Sequence, residues 1–205
     1  MVRIKICGIM DAAAAVVAAA AGTDAIGLVF APSRRQVTVE QARRIAFALP
    51  PFVTKVGVFV DDDPARVREI ADAVHLDAVQ LHGVESPEYA AALGLPVIKA
   101  IRMRDRSSVE AMRGYRVFAF LLDSFEPDLA GGTGKAFNWD LAAGLQASAP
   151  LILAGGLTAE NVQPALQAVR PYGVDVSSGV ETDGGKDPGK IREFIARVRS
   201  WNGTR

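Results

Sequence analysis

Apolar, β-branched runs alternate with helical patterns along the whole chain. The runs predict strands at Val2–Cys7, Ala25–Phe30, Val53–Phe59, Ala78–Leu81, Val97–Ala100, Val117–Asp123, Leu151–Leu153 and Gly173–Val176. Most are short and nearly all apolar, as expected of strands buried on both faces of a parallel sheet. Between them, apolar residues recur at helical spacing. Thr38 and Gln41 form a capping box ahead of Ala42, Ile45, Ala46 and Leu49. Asp63–Pro64, Ser86–Pro87 and Asp187–Pro188 each pair a cap with a proline at the first helical position. Thr158 is expected to cap a helix over Val162, Ala165, Leu166 and Val169, and Ser107–Arg113 carries the faintest helical stripe.

Eight strands alternating with eight helical segments, with no break resembling a linker, predict one α/β domain over 1–205. Its expected form is a closed parallel (β/α)8 barrel. An open doubly wound sheet is the alternative. The first turn, Cys7–Asp11, lacks the glycine pattern such sheets use for dinucleotides. A long glycine-bearing segment, Ser124–Asn138, follows the sixth strand and reads as a lid or binding loop.

Charge narrows the function classes. Lysine plus arginine equals aspartate plus glutamate at 23 each. No basic excess is available for nucleic acid, so any anion must be held by a local site. The run Ala12–Gly22 is too short to span a bilayer, so no membrane partner is expected. One cysteine, Cys7, excludes an intrachain disulfide, and a lone thiol suits the cytoplasm. His75 and His82 lack a metal-ligand spacing. The sequence leaves monomer and homodimer open.

In barrels of this class the site lies at the C-terminal ends of the strands. Strand seven ends in Gly155-Gly156 and strand eight in Ser177-Ser178-Gly179, where backbone and hydroxyl donors favour a phosphate. Tight turns and caps are the plainer alternative. Alternation puts Lys5 and Cys7 inside the barrel, with Cys7 at the rim. A buried Lys5 needs a partner, and Asp175 on the adjoining strand eight is the natural one. Lys5 is then expected to favour the Cys7 thiolate and make it a general base; a plain core cysteine and a covalent nucleophile are the alternatives. Asp123 ends a very apolar strand, which suits a general acid, or else a cap. Arg34 and Arg35 follow strand two as a candidate carboxylate clamp or a solvated loop.

These segments resemble the phosphoribosylanthranilate isomerase family. The resemblance rests on Lys5-Ile6-Cys7-Gly8-Ile9, Gln80-Leu81-His82-Gly83, Leu122-Asp123-Ser124, Gly131-Gly132-Thr133-Gly134, Leu153-Ala154-Gly155-Gly156-Leu157 and Asp175-Val176-Ser177-Ser178-Gly179-Val180-Glu181. It implies an Amadori rearrangement without a cofactor, a step of tryptophan biosynthesis, with Cys7 as base and Asp123 as acid. It implies substrate contacts from Lys5, Arg35, Gln80, His82 and Asp175. Phosphate contacts are implied for Gly132, Gly134, Gly155, Gly156, Ser177, Ser178 and Gly179. Ser33-Arg34-Arg35 stands where the family usually has Ser-Pro-Arg, which leaves two candidate arginines for the anthranilate carboxylate.

Three other readings remain. The sister isomerase of histidine biosynthesis has two phosphate segments, and only one is found here. A phosphate-sensing barrel would have no need of Cys7 or Asp123. A lyase barrel would require a lysine at the rim, whereas Lys5 and Lys99 sit lower.

Overall fold

A computed structural model describes residues 1–124 and 139–201, so Gly132, Gly134 and most of the predicted lid lie outside the described residues. Eight parallel strands close into a barrel in sequence order. They are β1 (Arg3–Cys7), β2 (Ala25–Val29), β3 (Thr54–Phe59), β4 (Ala78–Leu81), β5 (Val97–Met103), β6 (Ala119–Ser124), β7 (Leu151–Leu153) and β8 (Gly173–Val176). Closure by β8 against β1 excludes the open sheet.

Among the described residues six α-helices cover the outside: α1 (Ala12–Ala21), α2 (Val39–Ala48), α3 (Pro64–Val74), α4 (Pro87–Ala92), α5 (Val162–Val169) and α6 (Pro188–Arg199). The predicted caps act as read: Thr38 and Gln41 bond reciprocally, and Asp63, Ser86 and Asp187 accept from the first turns behind their prolines. After β5 and β6 the chain makes 3-10 segments instead, Arg106–Met112 and Trp139–Leu141. Neither has an apolar stripe long enough to repay a full helix. Thr158 is not the cap of α5; a turn intervenes and the helix starts at Val162. No helix among the described residues is long and apolar enough to cross a membrane.

The alternation that orients β1 is plain in its burial. Ile4 and Ile6 are fully buried and join the large core between strands and helices, each contributing roughly 1.5–3 kcal/mol by leaving water. Inside the barrel a second, smaller cluster packs Val56, Ala78, Ile98, Ala100, Ala119, Leu121, Ile152 and Ala154. Small alanines fill the narrow bore beneath the rim. Register then fixes who meets whom. Lys5 lies beside Asp175, Cys7 beside Gly27, Val58 beside Gln80, and Arg102 beside Asp123.

Candidate active site

Residues on or just past the C-terminal ends of the eight strands line one cavity of about 280 Å³. Cys7, Arg35, Gln80, His82, Asp123, Gly155, Gly156, Asp175, Ser177 and Ser178 line it. Sulfur and carboxyl therefore open onto the same space as the Gly-Gly loop. Lys5 and Gly179 do not line it. Lys5 stands one layer lower, 4% exposed, with its Nζ 2.9 Å from Asp175 Oδ1. Gly179 serves close packing: a Cβ there would lie 1.9 Å from the carbonyl oxygen of Leu157.

Cys7 does not meet its expectation of an easy thiolate. Burial pushes its thiol upward and outweighs the nearby cations Lys5 and Lys186. The negative Asp175 pushes the same way. Lys5 itself, although burial alone would lower it, is held above the usual lysine value by Asp175 and Cys7. Space around the sulfur is tight. A Cβ on Gly27 would sit 2.6 Å from Cys7 Sγ and 3.1 Å from Lys5 Nζ. Only a glycine there lets thiol and ammonium occupy the bore together.

Asp123 is 15% exposed and its Oδ2 is 3.1 Å from His82 Nε2. The other ring nitrogen of His82 is 2.9 Å from Gln80 Nε2. Arg102 also lines the cavity, and its Nη2 reaches the His82 carbonyl at 3.5 Å. Sequence reading ended β5 at Ala100 and missed it.

Arg35 is buried to 11% exposure and grips Glu181 with both ends of its fork, Nε at 2.7 Å and Nη2 at 2.9 Å. Arg34, 58% exposed, reaches the same carboxylate, but only Arg35 lines the cavity. Lys186 completes the cluster, its Nζ 2.7 Å from Glu181 Oε1 and 2.9 Å from the Ser177 carbonyl. Burial would raise Glu181, yet Arg35 and Lys186 hold it below the usual carboxylate range. Burial also lowers Lys186, against the pull of Glu181. Glu181 and Lys186 belong to a hairpin of β9 (Glu181–Thr182) and β10 (Gly185–Lys186) that folds back over the rim.

Gly155 and Gly156 both have positive φ, 78° and 65°, a conformation that costs other residues. Asn161 braces this loop, accepting from Thr158 N and donating to the Gly156 carbonyl, both at 2.8 Å. Ser177 uses its hydroxyl on the Cys7 carbonyl at 3.1 Å, which ties the β8 loop to β1. Among the described residues no cluster of three or more histidine, cysteine, aspartate or glutamate side chains could hold a metal.

The chain matches the family described as N-(5'phosphoribosyl)anthranilate (PRA) isomerase over residues 4–197. A relative named N-(5'-phosphoribosyl)anthranilate isomerase from Desulforamulus reducens is 54% identical over 206 residues, covering 100% of this chain and 99% of its own. One of the same name from Geobacter sulfurreducens is 53% identical, covering 98% and 100%. The phosphoribosyl anthranilate isomerase structure from Thermotoga maritima aligns with a TM-score of 0.89 at 42% identity, over 97% of this chain and 99% of that one. An isomerase structure in complex with reduced 1-(o-carboxyphenylamino)-1-deoxyribulose 5-phosphate aligns at 0.85 and 41% identity, over 97% and 99%. With the barrel, the shared cavity and these matches together, the chain belongs to the N-(5'-phosphoribosyl)anthranilate isomerase family.

Proposed function

We propose that this enzyme converts N-(5-phosphoribosyl)anthranilate to 1-(2-carboxyphenylamino)-1-deoxyribulose 5-phosphate in tryptophan biosynthesis, with Cys7 as general base and Asp123 as general acid. The observation that carries the assignment is that both groups line one cavity with Gly155, Gly156 and Ser178. The phosphate is held by the N–H groups of the Gly-Gly loop and by Ser178. The anthranilate carboxylate is taken by Arg35, whose guanidinium has further donors beyond those given to Glu181.

Asp123 protonates the ribose ring oxygen as the C1–O bond breaks, and the aniline nitrogen pushes its lone pair into a Schiff base. Cys7 then takes the C2 proton. The electron pair released neutralises the iminium and leaves an enolamine, which tautomerises to the ketose. Oxidation at C2 balances reduction at C1, so proton transfers alone complete the change. Cys7 takes the proton from its thiolate form, so the step runs in enzyme that has already released the thiol proton to solvent. Asp175 supports Lys5, and Lys5 in turn supports the thiolate as it forms.

The test is separate replacement, Cys7→Ser and Asp123→Asn, with turnover and affinity for the reduced product analogue measured apart. Loss of turnover with binding kept supports both roles; unchanged turnover in either variant removes that residue's role. The same reading treats 1–205 as one domain working in the cytoplasm. Rescue of a tryptophan-requiring strain checks the activity in the cell.

A further inference from the structure

We propose that Gln80 fixes the tautomer of His82 and, through that ring, holds Asp123 in its working orientation. The inference rests on reading Asp123 as the general acid. Gln80 is then a positioning residue for the proton transfer, acting through a side chain that itself contacts the acid.

The three groups form a chain across the rim from β4 to β6. Gln80 Nε2 is 2.9 Å from His82 Nδ1, and His82 Nε2 is 3.1 Å from Asp123 Oδ2. A carboxamide nitrogen donates and cannot accept. His82 Nδ1 must therefore accept, and the ring proton sits on Nε2, where it is given to Asp123. Turning the amide over would place its oxygen against Nδ1 and strand the amide nitrogen in a site only 1% exposed. The observed arrangement leaves Gln80 Oε1 without a protein partner instead. An under-satisfied carbonyl oxygen is the commoner and cheaper compromise.

This arrangement decides what kind of donor Asp123 meets. A doubly protonated ring would aim an Nδ1–H at the amide N–H, donor against donor. Among the described residues, Asp123 Oδ2 meets the ring at Nε2, Arg102 donates to the His82 carbonyl at 3.5 Å, and Lys99 donates to the flanking Leu81 and Gly83 carbonyls. Asp123 thus receives a bond from a neutral imidazole, which orients the carboxyl without locking it into an ion pair. A group that must carry a proton in one step and release it in the same turnover needs such a partner.

The test reads the ring directly. His75 and His82 are the two histidines of the chain, and His75→Asn, which suits the left-handed backbone at φ 55°, assigns the pair. In the unsubstituted enzyme, nitrogen-15 shifts should give His82 a bare Nδ1 and a protonated Nε2. A proton on Nδ1, alone or with Nε2, overturns the proposal without reference to activity. Gln80→Glu replaces the donor with an acceptor. Its ring should gain the Nδ1 proton, and kcat should fall about ten- to a hundredfold, part of what a general acid supplies, with KM changed less. Gln80→Leu should lower kcat with no second ring proton. Unchanged kcat in Gln80→Glu, while Asp123→Asn is inactive, sinks the role of Gln80 and leaves the acid standing. Full turnover in Asp123→Asn sinks the acid, and with it any catalytic meaning of the chain.

Discussion

Arg35 and Glu181 lie 146 residues apart in sequence and meet through two parallel hydrogen bonds of 2.7 and 2.9 Å. The carboxylate is 5% exposed and the guanidinium 11%. This pairing fixes the plane of the guanidinium before any ligand arrives. Bidentate charge-assisted bonds combine strength with direction, and a side chain already ordered loses less freedom on binding. Glu181 is therefore a support for substrate recognition.

Glu181→Gln should raise KM for phosphoribosylanthranilate about tenfold, because one charged hydrogen-bond partner is worth roughly 1.5–3 kcal/mol, and kcat should change less. Steady-state kinetics separate the two. Equal falls in kcat and kcat/KM, with KM constant, would place Glu181 in the chemistry instead.

The Cys7 thiol is pushed upward, chiefly by burial, and this sets a pH dependence. The base works as thiolate, so kcat/KM should rise with pH across the neutral range and level off only above the ordinary thiol value. Removing Lys186, one of the cations pulling the other way, should move that limb to higher pH. A pH–rate profile of Lys186→Met against the parent enzyme checks it. A limb that stays in place shows that Lys186 exerts no effective field on the sulfur.

Gly27→Ala is expected to lower kcat about 10²-fold, the scale on which a displacement near 1 Å matters to a reacting group. The added methyl would meet Cys7 Sγ at 2.6 Å, so the sulfur must move. Because the strand is otherwise unaltered, the melting temperature should change little by comparison. A variant with parent kinetics would mean that the bore accommodates the methyl without moving the base.

The strands were readable because each is a compact apolar run, and Lys5–Asp175 was readable because barrel closure puts strand eight beside strand one. Arg102 was hidden by the same logic. A charged residue at a wet rim interrupts the apolar run, and the expected strand stops at Ala100, three residues short of Met103. Nothing in the local pattern marks Lys186, yet the hairpin carries its side chain to 1% exposure. Contacts such as Arg35–Glu181 and Asn161–Gly156 depend on how loops fold over the rim, which no local period encodes. For Cys7 the charge of Lys5 and its pairing with Asp175 were foreseen, but Lys186 was not, and the burial that outweighs the cations is a property of the packed barrel.

Lys99 is the other inward-sounding lysine of the sequence, and the structure assigns it to stability. Its Nζ is 2.9 Å from Glu85 Oε2 and also donates to the carbonyls of Leu81 and Gly83, behind the β4 loop and away from the cavity. Glu85 further accepts from the N–H groups of Asp61 and Gly83. Burial alone would raise Glu85, but Lys99 and the N–H groups of Asp61 and of Glu85 itself hold it below the usual glutamate value. A depressed carboxyl adds stability above its unfolded value and loses it as pH falls through the folded one. The contribution is thus complete at neutrality and fades in acid below about pH 4.5. Lys99→Met leaves the carboxylate buried without its cation and should cost about 3–5 kcal/mol, a fall in melting temperature of roughly 6–20 °C at this chain length. Much of that deficit should vanish in Lys99→Met/Glu85→Gln, which removes the stranded charge. A Lys99→Met protein that melts with the parent but has lost kcat would return the lysine to the chemistry.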